Sequence, residues 1–217
     1  MAVTQNPHIG RSRNSFSTAI FSKWKDKNTM RSKPTEVANP NTVAQQKQRG
    51  AFKVTQDVGV RSLDIHKIGF NSKMSKMTGL NAFVQANVNQ SVTADAEANI
   101  AIDFEALVYS IGNLTPTEFD CNGQTNSQFN VAWENHAANW ADDQRADDQL
   151  NYVMLEVKDG AIIASQYGLN IAPRSTPSTT IELRESKTTG STIYVYPFFA
   201  DIARNKVEQN TFYIPTA

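Results

Sequence analysis

Tyr152-Val-Met-Leu-Glu-Val157, then Lys158-Asp-Gly160, then Ala161-Ile-Ile-Ala-Ser-Gln-Tyr167 is the stretch that sets the class of this chain. Two short runs rich in apolar and β-branched residues flank an Asp-Gly pair, the turn chemistry that joins antiparallel strands. Runs of the same kind lie on either side: Phe129, Val131 and Trp133, then Thr179 to Leu183, Ile193 to Phe199 and Thr211 to Ile214, with a further turn signal at Thr189-Gly190. Several short strands at such spacing predict an antiparallel β-sandwich of the immunoglobulin or fibronectin type. Trp133 on an early strand fits that core. The two bridging cysteines of antibody domains are absent, since Cys121 is the only cysteine. Pro197 cannot donate to a ladder, so its strand is expected at an edge or a bulge.

Further toward the N-terminus, Ile100, Ile102 and Phe104 alternate with other residues, as do Leu107, Tyr109 and Ile111, up to a turn at Gly112-Asn113. Before that the period is helical. Met74, Met77, Leu80, Phe83, Val84 and Val88 recur at three- and four-residue spacing and predict a helix over about 74–89, with the methionines in its core face. Asn39-Pro-Asn-Thr42 opens an earlier helix over about 43–58, in which Thr42 caps the N-terminus and Gln45 closes a capping box. Its apolar stripe is thin, and Gly50 leaves room there for another backbone. Phe16, Ile20, Trp24 and Met30 read as two strands, 15–24 and 28–33, around a polar turn at 25–28. The fold class is therefore α+β: N-terminal strands and two helices, then the sandwich. The expected division is a flexible basic arm at 1–14, a basic α+β region at 15–116 and an acidic sandwich domain at 117–217.

The 21 Lys and Arg balance the 21 Asp and Glu, but not evenly along the chain. Residues 1–80 hold 14 cations against 4 anions, and residues 81–217 hold 7 against 17. That asymmetry bears on partners rather than on fold. It fits a basic segment on nucleic acid, or a subunit whose basic face meets the acidic face of the next copy; the competing reading is two solvated faces of one monomer. Met1 to Gly10 has no apolar core for a signal peptide, and no stretch approaches the ~20 apolar residues that cross a bilayer. One cysteine makes no internal disulfide, which fits a reducing cytoplasm or a particle assembled there.

Little in the sequence points to catalysis. His8, His66 and His136 are far apart and none has metal-ligand spacing to another ligand type. No glycine-rich phosphate loop, nucleophile elbow or dinucleotide fingerprint occurs. Neither an enzyme nor a bound cofactor or metal is expected. The acidic near-duplication Ala141-Asp-Asp-Gln144, Arg145, Ala146-Asp-Asp-Gln149 puts Asp142, Asp143, Asp147 and Asp148 in one loop. It lacks the calcium-hand pattern; the bland reading is a solvated loop or helical turn, and the functional one is a docking patch for a basic segment of another copy, such as Arg11 to Arg13 or Lys23 to Lys27. The candidate contact residues on the basic side are Arg11, Arg13, Lys23, Trp24, Lys25, Lys27, Arg31, Lys33 and Arg49. They mix cations with an aromatic, as sites that track a phosphate backbone do.

Ser22-Lys-Trp-Lys25, Met30-Arg-Ser-Lys-Pro34 and Asn39-Pro-Asn-Thr-Val-Ala-Gln-Gln-Lys-Gln-Arg49 with Phe52 resemble the N-terminal signature of a family known mainly from Bacteroidota and their phages, the domain of unknown function 6266. Ile68-Gly-Phe70, Met77 to Ala82, Ile102-Asp-Phe104 and Gly112 to Pro116 resemble its middle section. Val131-Ala-Trp133, Tyr194 to Phe199 and Asn210 to Tyr213 resemble its C-terminal part. This chain has a longer polar, arginine-bearing arm before Trp24 than the family pattern. The resemblance implies no activity or ligand. It implies a phage context, so the expected role is a virion structural or assembly protein of head or tail, a capsid or tail subunit or connector. Its partners would be itself or other virion proteins, with Trp24, Met30, Phe52 and Phe83 buried between copies or against the sandwich. The alternatives are a nucleic-acid-binding accessory protein using residues 11–53, and a carbohydrate-binding or adhesion module using exposed aromatics such as Trp140.

Overall fold

The computed structural model describes residues 2–4, 14–16, 18–24, 27–34, 36, 40–73, 75–122, 125, 127–134, 136–201, 203, 206–210 and 213. The chain forms two compact units, residues 1–41 and 42–217.

The first unit is an antiparallel sheet of β1 (Ala2–Thr4), β2 (Asn14–Phe16), β3 (Ala19–Trp24) and β4 (Lys27–Ser32), in the order β1-β4-β3-β2. The expected pairing of the two segments is present, with Phe21 opposite Met30 and Trp24 opposite Lys27, but the single strand expected over 15–24 is corrected to two, because the chain folds back so that Phe16 pairs with Ala19. At its centre Thr29 is buried, and its hydroxyl lies 3.0 Å from the Ser22 carbonyl to which it donates. The expected arm at 1–14 needs correcting at both ends: Ala2–Thr4 pairs with Asn28–Met30, and Asn14 pairs with Phe21. A strand edge satisfies backbone groups whatever the polarity of the side chains, so a polar sequence without a period does not by itself exclude pairing.

In the second unit, α1 (Val43–Val60) begins where expected, the Thr42 hydroxyl accepting the Gln45 N–H at 3.3 Å. The reciprocal half of the capping box does not form, because Gln45 Oε1 is buried without a partner. A Cβ on Gly50 would come within 2.8 Å of Ile100, so its neighbour is a side chain and not a backbone. Next come α2 (Leu63–Gly69), which the sequence pattern does not reveal, and α3 (Gly79–Asn87). The helix expected over 74–89 starts later, at Gly79, because Thr78 caps it by accepting the Asn81 N–H. Apolar spacing that continues through Met77 does not mark where the backbone turns helical.

The strands of this unit are β5 (Val92–Ala94), β6 (Ile100–Ile102), β7 (Phe119–Asn122), β8 (Gln128–Trp133), β9 (Gln149–Lys158), β10 (Ala161–Gly168), β11 (Ser178–Glu182), β12 (Thr192–Asp201) and β13 (Lys206–Val207). All pair antiparallel, as sheets β10-β9-β12-β13, β11-β8-β7 and β5-β6. The alternation expected through Leu107, Tyr109 and Ile111 does not make a strand. Two side-chain amides hold that backbone instead. Asn87 donates to the Val108 carbonyl at 2.8 Å and accepts the Val108 N–H at 2.7 Å, while Asn210 Oδ1 accepts the N–H groups of Tyr109 and Ser110 at 2.6 and 2.9 Å.

β9 and β12 are buried on both faces. Leu150, Tyr152, Met154, Ile193, Val195 and Phe199 share a core with Phe129, Val131 and Trp133 of the three-stranded sheet. Val153, Leu155, Val157, Tyr196 and Phe198 share another with Val58, Ile65, Phe83 and Tyr109. The order of layers is therefore helices, four-stranded sheet, three-stranded sheet. This corrects the boundary expected at 116/117: the helices bury their apolar face on the back of the sheet, as amphipathic elements must. The edge or bulge expected at Pro197 is corrected: β12 lies between β9 and β13, and its register with β9 runs unbroken through Pro197, which sits where no donor is needed. On the side of β12 away from β9, Val195 N–H bonds the Tyr213 carbonyl and Phe199 N–H bonds the Glu208 carboxylate, and Pro197 lies between them.

Candidate functional site

The acidic duplication divides by position within each pair. Asp142 and Asp147 are exposed. Asp143 accepts the Thr115 N–H at 2.9 Å, and although burial works to raise its pKa, that bond holds the carboxyl below its ordinary value. Asp148 is buried at 1% exposure, which removes it from any surface patch. The four-carboxylate docking patch is thus corrected to two exposed groups and two that hold the loop.

Asp148 faces inward because Arg174 is there. The guanidinium is fully buried and donates Nε to Asp148 at 3.2 Å, Nη2 to Glu208 at 2.6 Å and Nη1 to the Thr117 hydroxyl. Its Cζ lies 4.0 Å from the centre of the Phe199 ring. Glu208 also accepts the Thr117 hydroxyl at 2.6 Å and the Phe199 N–H at 3.1 Å. Burial raises the pKa of Glu208, opposed by Arg174. The Arg174 carbonyl accepts the Trp133 indole N–H at 2.9 Å. One residue therefore ties together the segments at 117, 133, 148, 199 and 208. Neither Arg174 nor Glu208 carries a sequence signal, since each is an isolated charge outside any periodic pattern. Because its members bond one another and the backbone, this set works as a structural clasp.

The loop it anchors carries a surface cleft of about 350 Å³, lined by Trp140, Ala141, Asp142, Gln144, Arg145 and Ala146. The half-buried Trp140 donates its indole N–H to the Glu134 carbonyl at 3.1 Å. Gln144 turns inward, accepting the Ala141 N–H and donating to the Thr115 carbonyl, both at 3.0 Å. Arg145 Nη1 donates to the carbonyls of Asp142 and Gln144 at 2.7 and 2.8 Å.

The described basic candidates are divided between the two units. Arg11, Arg13 and Lys25 lie outside the described residues. Lys23, Trp24 and Lys27 are placed by backbone register, at the β3–β4 end where Trp24 opposes Lys27. Arg31 and Lys33 are exposed in the same unit, whereas Arg49 is exposed on α1 of the other. Among the four large apolar residues expected at contacts, Phe83 is fully buried in the helical core, Met30 is partly buried and Phe52 is exposed on α1.

Of the histidines, His8 lies outside the described residues and His136 is exposed. His66 is buried against Phe83 and Tyr109, with Nε2 2.9 Å from the Gly59 carbonyl and Nδ1 unpartnered. Burial lowers its pKa to about 4. Among the described residues no three His, Cys, Asp or Glu side chains converge as a metal site, and no helix is long and apolar enough to cross a membrane.

No curated protein matches the chain. Among solved structures, the solution structure of the fibronectin type III domain of human collagen alpha-1(XX) chain is similar at 10% identity and a TM-score of 0.33, over 50% of this chain and 90% of that one. A family model matches residues 11–215, and the chain belongs to that family, the family of unknown function DUF6266.

Proposed function

We propose that this chain is an assembly subunit that acts through protein–protein contacts, a component of a phage virion in the setting that the family resemblance implies. The observation that carries this reading is the division of charge between the two compact units. Residues 1–41 hold seven Lys and Arg against two Asp and Glu, and residues 42–217 hold 14 against 19. The net charges of +5 and −5 make the first unit of one copy complementary to the second unit of another, which steers encounter and fixes register. In this reading the paired sheets of the second unit are a fibronectin-like sandwich, a scaffold that serves many functions and decides none of them.

The test is the solution mass of the purified, nucleic-acid-free full chain by light scattering across a salt series. Assembly held by charge gives oligomers that dissociate as salt rises. A monomer at every salt concentration overturns self-assembly. Binding to duplex DNA that falls steeply with salt, without self-association, favours instead a nucleic-acid-binding accessory protein using Lys23, Arg31, Lys33 and Arg49.

A further inference from the structure

Going beyond assembly, we infer that the cleft beside Trp140 is a binding site for a neutral carbohydrate. Its lining combines an indole, one carboxylate and one guanidinium, Trp140, Asp142 and Arg145, around a volume of about 350 Å³. Each class of ligand meets this lining differently. A polyanion would meet as much negative as positive charge, and a purely apolar ligand would strip water from Asp142 and Arg145 without replacing it. A sugar ring satisfies all three groups. Its C–H face packs on the electron-rich face of an indole, while its hydroxyls donate to a carboxylate and accept from a guanidinium.

The site is also ordered in advance. Trp140 is held by its N–H bond to the Glu134 carbonyl, and Arg145 by two bonds from Nη1, which leaves its remaining N–H groups for a ligand. Gln144 fixes the loop from beneath through Ala141 and Thr115. Side chains immobilised before binding lose little further entropy when the ligand arrives. That favours recognition of a hydroxylated ligand, whose competition with water leaves little margin.

The experiment is titration of the full chain with neutral oligosaccharides of glucose, mannose, galactose, xylose and N-acetylglucosamine, with polygalacturonate as the charged comparison, by calorimetry and tryptophan fluorescence. Binding of at least one neutral member is expected, weakened about tenfold or more in Trp140→Ala. Asp142→Asn, whose carboxyl is exposed, is expected to weaken binding with the thermal midpoint unchanged, which separates lost contact from lost fold. Binding by no neutral member, binding unchanged in both variants, or binding of polygalacturonate alone would each overturn the assignment.

Discussion

At the residue scale, a buried charge set is held by balance, and Arg174 is its balancing member. Arg174→Met leaves Asp148 and Glu208 buried without their cation, and removing one side of such a set costs about 3–5 kcal/mol. Urea unfolding is expected to show that loss, whereas Asp147→Asn, at an exposed position of the same loop, leaves stability within about 0.5 kcal/mol. His66 adds a dependence on pH. Its pKa falls from 6.5 to about 4 because burial disfavours the charged ring. The unfolded chain therefore binds more protons between those values, and stability contributed by the neutral ring is present above pH 6.5 and lost as pH falls toward 4. The whole contribution is about 3 kcal/mol at most. His66→Phe keeps the aromatic packing with Phe83, and the Gly59 carbonyl still accepts the Ser62 N–H at 3.2 Å. Unfolding free energies measured from pH 7 to pH 4 are expected to fall less steeply in that variant.

At the element scale, the pattern of the sequence is a record of burial, and it is reliable where one element meets one core. β9 and β12 fit this only in part, because their continuous apolar character reports burial on two faces and not which layer covers each. The Leu107 to Ile111 segment shows the opposite failure, an alternation that looks like a strand but is paired by Asn87 and Asn210. Asn210→Ala would strand the N–H groups of Tyr109 and Ser110 and the Leu107 carbonyl, which accepts from Asn210 at 3.2 Å. A loss of about 3 kcal/mol is expected from three unmet backbone groups, with faster amide exchange at Tyr109 and Ser110 than elsewhere in the core. Gly112 is a contact position too. A Cβ there overlaps the Val207 carbonyl, which accepts the Leu114 N–H at 3.1 Å, so Gly112→Ala is expected to lower stability by about 1–3 kcal/mol in thermal unfolding.

At the scale of the whole molecule, the second unit contains both hydrophobic cores and is expected to fold without the first. A chain of residues 42–217 should keep the thermal midpoint of its main transition, and under the assembly reading it should lose salt-sensitive oligomers; a collapse of the midpoint would show that the sheet of residues 1–41 completes its core. The sequence by itself determined the class, the Thr42 cap, most of the long strands and the opposed charge of the two ends. Each of these follows from what the chain carries locally: a hydroxyl three residues from an amide, short apolar and β-branched runs between turn residues, and the placement of charges along the sequence. Only the tertiary structure decided that the helices form a third layer on the sheet, that Asp143 and Asp148 turn inward while Asp142 and Asp147 stay in solvent, and that Arg174 and Glu208 meet. Those outcomes depend on partners 26 to 34 residues or more away along the chain, at separations where no local period records the contact.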